Sequence, residues 1–237
     1  MSCCAAKRIH MRIYKFKDLT NEQARSYFRQ IVMQNSMWCA SPDCLNDEDE
    51  FRFTVDYSPS PRTHWLLAQV AQYRTTNLSP LQLSASLALE NNRLRDIASP
   101  IIDSVIEQCR KNIGITSFSA TKADERLWKV YGGEGNGACI EINIPDYMLN
   151  EIYHSVHYVC KKVFHIDIFL ESELFPDKQF NNYRNMLLTK TKKWEHEEEI
   201  RFVGQRQNVN WILNGYMSEV TFGPKVPSNI LKQLTAV

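Results

Sequence analysis

The most chemically informative stretch of the sequence is KTKKWEHEEEIR, residues 190–201. If its second half forms a β-strand, Glu197, Glu199 and Arg201 lie on one face, because successive side chains of a strand alternate. Ile200 then faces a core on the opposite side. Two carboxylates beside a guanidinium can stabilise a developing positive charge and hold an anionic substrate. The alternative interpretation is a solvated edge strand, whose ion pairs contribute little to stability.

An aromatic pair lies next to a glycine-rich loop. Trp128 and Tyr131 are three residues apart, so they share one face if they are helical. Glycines follow at 132, 133, 135 and 137, where they allow the backbone to approach a ligand closely. The pattern predicts either a platform for a flat ring or a part of the core. The loop lacks the Gly-Lys-Ser/Thr sequence of a phosphate loop.

Polar residues also follow two predicted strands. Asn46 and Asp47 lie in SMWCASPDCLNDEDEF (36–51), where a strand runs into a turn, and they either form a local turn or face a cleft. Ser119 lies in the strand-like GITSFSAT (114–121), whose alternating hydroxyls either orient a ligand or face solvent. The sequence contains no His-Glu-x-x-His motif and no Cys/His cluster, so we expect no metal site.

The elements that must position these residues are strands scattered among helices. The clearest strand is NGACIEINI (136–144), in which apolar side chains at every second position share one face: Ala138, Ile140, Ile142 and Ile144. Because strands and helices do not alternate regularly, we predict an α+β fold with a mixed, mainly antiparallel sheet and flanking helices. One domain is predicted over 1–237, with a helical insertion or lid at about 62–112.

Several boundaries follow from local signals. Thr20 is the expected cap of the helix at 21–34, and Ser99-Pro100 is expected to start another helix. Among the other segments, helices are predicted at 81–94 and 175–194, and strands at 154–164 and 195–204.

Composition restricts the class of protein. The 28 basic residues nearly cancel the 27 acidic ones, giving a net charge of +1, so no overall field favours nucleic acid or a membrane. No apolar run approaches the ~18 residues of a membrane span, and no secretory segment precedes the seven cysteines. An odd number of cysteines predicts reduced thiols in a cytoplasmic protein. We expect Cys109, Cys139 and Cys160 to be buried and unpaired.

Together these motifs resemble a bacterial family of unknown function. The family pattern is matched in order by Tyr14–Phe16, Ser41–Glu50, Phe118–Ser119, Leu127–Cys139 and Lys190–Arg201. The chain departs from the pattern where Glu-Asp replaces Pro-Phe within the second motif and Gly replaces Ala after the Trp-x-x-Tyr pair. Relatives of the family are similar to abortive-infection proteins of bacterial phage defence. The resemblance implies a cytoplasmic effector with a defence or toxin-like role.

The first hypothesis for the chemistry is an enzyme similar to ADP-ribosyltransferases, which uses NAD as a substrate and binds no cofactor tightly. Nucleic acid is then a possible acceptor. A carboxylate stabilises the oxocarbenium-like transition state of such a transfer. The expected roles are ribose and charge stabilisation by Glu199, acceptor positioning by Glu197, nicotinamide contact by Tyr131 or Trp128, and phosphate contact by Lys15 or Arg201. Glu199→Gln would then lower turnover and change stability by at most ~0.5 kcal/mol.

Two other hypotheses remain open. A Mg²⁺-dependent nuclease would hold the metal through Asp47, Glu50, Glu197 and Glu199, with Lys190 on the phosphate. A non-enzymatic sensor or interaction module would use the acidic strand and the aromatic pair as a binding surface. For the enzyme, we expect one cleft that gathers five side chains: Trp128, Tyr131, Glu197, Glu199 and Arg201.

Overall fold

The computed structural model describes residues 10–73 and 91–235. The helix predicted at 81–94 therefore lies almost entirely outside the described residues. The chain divides into two compact units. The first, here called the sheet unit, is drawn from 1–40, 114–156 and 193–237, and the second, the helical unit, from 41–113 and 157–192.

The elements are numbered in chain order. The described strands are β1 (His10–Asp18), β2 (Ser36–Cys39), β3 (Thr54–Asp56), β4 (Gly114–Ser119), β5 (Gly137–Pro145), β6 (Tyr153–Ser155), β7 (His157–Val159), β8 (Val163–His165), β9 (Thr189–Thr191), β10 (Glu199–Gly204), β11 (Val209–Ile212) and β12 (Tyr216–Phe222). The described α-helices are α1 (Glu22–Gln34), α2 (Pro61–Tyr73), α3 (Asn91–Asn112), α4 (Glu125–Val130), α5 (Asp167–Leu174), α6 (Pro176–Leu187) and α7 (Ser228–Thr235).

The sheet unit is built on a six-stranded sheet in the order β12-β5-β1-β4-β10-β6. Each of its pairings is antiparallel. A two-stranded antiparallel ladder of β2 and β11 completes the unit. With its flanking helices this arrangement confirms the α+β prediction. The parallel pairs are the short ladders β3–β8 and β7–β9 of the helical unit.

One face of the sheet carries the main core of the sheet unit. The alternation predicted for β5 is confirmed, because its four apolar side chains all lie in this core: Ala138, Ile140, Ile142 and Ile144. Helix α1 contributes Phe28 and Ile31. Its cap is Asn21, whose side chain accepts from the backbone N–H of Ala24 at 2.8 Å, so the assignment of the cap to Thr20 is wrong by one residue.

The other face of the sheet has a smaller apolar cluster, made by Tyr14, Phe16, Leu127 and Cys139. Trp128 and Tyr131 pack against it and are partly buried. Because side chains of β1 and β5 alternate between the two faces, this cluster lies behind the main core. Helix α4 is thus fixed to the sheet through Leu127 and the aromatic pair, which places Tyr131 near the start of β10.

The helical unit contains α2, α3, α5 and α6. Its core includes Leu66, Val105, Phe169 and Tyr183. The helix start predicted at Ser99-Pro100 is wrong, because α3 continues through Pro100. The Ser99 hydroxyl donates to the carbonyl of Arg95 at 2.8 Å, the back-bonding to the preceding turn that serine makes inside a helix.

The cysteine predictions hold for two positions. Cys109 and Cys139 are buried free thiols, whereas Cys160 is free but exposed. Cys160 was assigned to a strand over 154–164, but that segment divides into β6, β7 and β8, and the cysteine lies in the turn after β7. Among the described helices, none has the length and apolar character that crossing a bilayer requires.

Candidate functional site

Strand β10 lies inside the sheet, between β4 and β6. Glu199 and Arg201 are both buried, so the interpretation of a solvated edge strand is wrong. The strand starts at Glu199 and not at 195, because Glu197 ends a 3-10 helix over Lys192–Glu197. Glu198 has a left-handed φ of 43°, which turns the chain between the two motif glutamates.

Glu199 and Arg201 form a two-point ion pair on the face that carries the smaller apolar cluster. Nε of Arg201 donates to Oε1 of Glu199 at 2.8 Å, and Nη2 donates to Oε2 at 3.2 Å. Arg201 is 1% exposed, which makes it one of the largest fully buried side chains in the described part of the chain. Removing one partner of a buried pair leaves an uncompensated charge at a cost of about 3–5 kcal/mol.

Glu197 is held from two sides although it lies outside the strand. The Tyr131 hydroxyl donates to Oε1 of Glu197 at 2.7 Å. The Ser119 hydroxyl donates to the backbone carbonyl of Glu197 at 2.7 Å and accepts from the N–H of Thr121 at 3.0 Å. Ser119 is buried and does not face solvent. The aromatic motif and the acidic motif therefore meet through a tyrosine–carboxylate hydrogen bond.

Lys15 alternates with Tyr14 and Phe16 along β1, so its side chain lies on the main-core side of the sheet and not on the side of Glu199. Strand β1 pairs with β4 through Tyr14 and Ser119, after which Nζ of Lys15 donates to the carbonyl of Ser117 at 2.6 Å. Nζ also lies 5.4 Å from the ring centroid of Phe118. Burial and the charge of Lys17 lower the pKa of Lys15 to about 7, and the Glu199 carboxylate opposes this shift.

Ser117 is a residue that the sequence analysis did not select. It faces Arg201 in the register of β4 and β10. Its hydroxyl oxygen is buried and lacks a hydrogen-bond partner among the residues that the structure describes. A buried hydroxyl without a partner is unusual in proteins. The alternation of the strand, which places Ser117 on the same face as Ser119, is the signal that could have identified it.

Trp128 points to a different place from Tyr131. Its indole nitrogen donates to the carbonyl of Lys122 at 3.1 Å, and its ring makes a T-shaped contact with Phe16 at 5.2 Å. The ring lines an open groove together with Lys129 and Lys225, among other residues. The side chains expected in one cleft have different neighbours: Tyr131 bonds Glu197, Arg201 bonds Glu199, and Trp128 borders this groove.

Three of the predicted site residues belong to the helical unit. Lys190 lies buried in β9. Asn46 is exposed, and Asp47 is buried. Oδ1 of Asp47 accepts from the N–H of Asp49 at 2.9 Å, which is the local turn that the sequence offered as the alternative to a cleft residue.

Within 10–73 and 91–235, no group of three or more His, Cys, Asp or Glu side chains is arranged to hold a metal ion. The chain matches no protein-family model, no curated protein and no solved structure.

The lowered pKa of Lys15 predicts a pH dependence of folding. The ordinary lysine pKa is 10.5 and the value in the folded protein is about 7, so the folded state binds fewer protons than the unfolded state between these values. Stability should rise with pH through this window, and the full penalty of the buried ammonium should be present below pH 7. Lys15→Met removes the charge, so its stability relative to the wild type should be most favourable at pH 6.

Urea unfolding at pH 6 and pH 9 measures this difference. We expect the advantage of Lys15→Met to shrink by about 3 kcal/mol between pH 6 and pH 9, because the stability of the wild type rises over the two pH units above 7 and each unit corresponds to about 1.4 kcal/mol. Loss of the hydrogen bond to Ser117 changes the free energy of unfolding by the same amount at both pH values, so it cancels when the two are compared. If the difference in unfolding free energy between Lys15→Met and the wild type were the same at both pH values, the Lys15 ammonium would be fully hydrated. Exposed Lys232→Met, on α7, is the matched control.

Proposed function

We propose that this chain is an ADP-ribosyltransferase-like enzyme that transfers a glycosyl group from NAD or a related nucleotide, with Glu199 as the charge-stabilising carboxylate. The observation that carries the proposal is the pair of buried carboxylates, Glu197 and Glu199, each held by a donor at the start of β10. The resemblance of the motifs to a family with defence-related relatives supports a bacterial, cytoplasmic, toxin-like role.

The burial of the two carboxylates favours a functional role over a purely structural one. Removing an ionised carboxylate from water costs several kcal/mol, and an apolar pair of similar volume would often be at least as stable. A pair that serves stability alone is thus easily replaced. An oriented carboxylate in a site with little water is, in contrast, what a developing oxocarbenium ion requires.

The neighbouring groups fit the parts of a dinucleotide. Glu199 would stabilise the positive charge on the ribose, and Glu197, oriented by the Tyr131 hydroxyl, would position the acceptor. The Tyr131 ring would cover the nicotinamide. A phosphate contact is left to Arg201, because Lys15 alternates with Tyr14 and Phe16 along β1 and so lies on the main-core side of the sheet, against Phe118. The unpartnered Ser117 hydroxyl would bond a ribose oxygen.

The direct test is an incubation of the purified chain with NAD, followed by detection of free nicotinamide. A bacterial lysate or nucleic acid is added in parallel, because a transferase without its acceptor is slow. We expect release of nicotinamide by the wild type and transfer of ADP-ribose to a component of the mixture. Folded protein that releases none with any of these additions would contradict the proposal.

Glu141 provides a matched control. It is also a buried glutamate on the same face of the sheet, paired with Lys122 at 3.3 Å and with Arg12 at 3.6 Å. It lies in β5, however, and has no part in the proposed chemistry. Glu141→Gln should keep the activity that Glu199→Gln loses, after correction for the fraction folded. An equal loss in both variants would show that any buried carboxylate of this sheet matters only for folding.

A further inference from the structure

An open groove lies beside α4 in the sheet unit. Its volume is about 530 Å³, within the range of about 300–1,000 Å³ that is typical of small-molecule sites. The lining includes one aromatic ring and four charged side chains: Trp128, Glu125, Lys129, Glu134 and Lys225. None of these five belongs to the carboxylate cluster around Glu199.

Trp128 is fixed before any ligand arrives. Its indole nitrogen is bound to the carbonyl of Lys122, and Phe16 contacts the ring at 87°. Gly132 lies so close that a Cβ there would be 2.9 Å from Cε3 of the indole. An aromatic ring held from three sides loses little entropy when a second flat ring stacks on it.

The four charged side chains of the groove do not neutralise one another. Each is exposed, and none forms an ion pair with any part of the chain that the structure describes. Lys129 and Lys225 are therefore available for an anion, and Glu125 and Glu134 for hydroxyl or amino groups. Lysine is a common partner of phosphate, and a carboxylate commonly accepts from ribose hydroxyls.

The backbone at Glu134 carries strain. Its φ is 53° and its neighbours Gly133 and Gly135 also have positive φ, at 56° and 94°. Glycine adopts this region readily, whereas a residue with a Cβ pays about 1–2 kcal/mol. A strained conformation that is retained at a groove points to a use of that side chain. Glu134 therefore lies at the groove in a backbone conformation that a residue with a Cβ does not favour.

We propose that this groove binds a nucleoside phosphate. The base stacks on Trp128, the ribose hydroxyls donate to Glu134 or Glu125, and the phosphates bind Lys129 and Lys225. The site is separate from the carboxylate cluster and does not depend on glycosyl transfer. It therefore gives the chain a nucleotide-binding function in addition to the proposed activity.

Calorimetric titration with ADP tests the proposal. We expect saturable binding by the wild type and a loss of about tenfold or more in Trp128→Leu, from base stacking on an aromatic ring. Lys129→Ala and Lys225→Ala should each weaken ADP binding and reduce its salt dependence, while leaving adenosine binding unchanged. Trp65→Leu is the matched control, because Trp65 is an exposed tryptophan of the helical unit. It should bind ADP like the wild type.

Glu134→Asn separates a binding role from a folding role. Asparagine tolerates positive φ better than glutamate, so the variant should be as stable as the wild type or more stable. ADP binding should nevertheless weaken, since the ribose hydroxyls lose a charged acceptor. No binding of ADP to the wild type at millimolar concentration, or binding that Trp128→Leu does not change, would overturn the proposal.

The two proposals fail in different ways. ADP contains no nicotinamide bond, so its binding does not report on glycosyl transfer. Glu199→Gln should bind ADP like the wild type at a temperature where it is folded. If ADP binds but NAD is not cleaved, the groove proposal stands and the enzyme proposal falls. If NAD is cleaved by a protein that does not bind ADP through Trp128, the enzyme proposal stands and the groove proposal falls.

Discussion

Glu199→Gln should lower the turnover of NAD about 100-fold and the free energy of unfolding by about 3 kcal/mol. The first value follows the loss seen when one charge-stabilising group is removed from an active site. The second follows from the burial of Arg201, whose guanidinium keeps its charge when the carboxylate becomes an amide. Nicotinamide release and urea unfolding measure the two effects.

The stability part of this prediction differs from the expectation based on sequence. A polar residue on the open face of a strand can be replaced at little cost, and the sequence suggested such a face. In the structure the carboxylate is 5% exposed and makes two hydrogen bonds to the arginine. Replacement by glutamine keeps the size but leaves the Arg201 charge uncompensated. The loss in free energy of unfolding is therefore as large as for a substitution in the core.

A double variant separates chemistry from folding. Glu199→Met combined with Arg201→Met removes both charges and leaves apolar side chains in a buried position, which is often neutral for stability. We therefore expect the double variant to unfold at a higher urea concentration than Glu199→Gln, and yet to release no more nicotinamide. If restoring stability also restored activity, Glu199 would be a structural residue and the enzyme proposal would lose its carboxylate.

How far the sequence predicted the fold depends on how local each signal is. In β5 the signal is local, because apolar residues at every second position of the strand all lie on one face. The prediction of which side chains share the buried face was accordingly correct. The same holds for Ile200 and Phe202, which lie in the main core as their alternation in β10 indicates.

The candidate site was predicted less completely, because its geometry depends on neighbours distant in sequence. The alternation rule placed Glu197 in the strand, but the left-handed Glu198 ends that alternation. Nothing in the local pattern shows that Tyr131, 66 positions before Glu197, supplies its hydrogen bond. The burial of Arg201 is likewise set by the positions of β4 and β6 on either side of β10.

Gly137→Ala should be the most damaging small substitution in the glycine-rich loop, with a loss of about 3 kcal/mol or more. A Cβ at this position would lie 2.2 Å from the carbonyl oxygen of Lys17 and 2.7 Å from that of Gly132. Both obstacles are backbone atoms, so relief requires β1 or the loop to move. The loop connects α4 to β5, and its displacement would disturb the Tyr131–Glu197 hydrogen bond as well.

Gly135→Ala shows whether a steric clash or a left-handed backbone causes the loss of stability. A Cβ at Gly135 meets only the side chains of Lys225 and Pro224, at 3.6 Å, but φ is 94° there. Gly135→Ala should therefore lower the free energy of unfolding by about 1–2 kcal/mol, through the unfavourable φ alone and without a steric clash. Urea unfolding of the two variants should rank Gly137→Ala as clearly less stable. An equal loss would mean that left-handed backbone in the loop, and not the close approach of β5 to β1, sets the need for glycine.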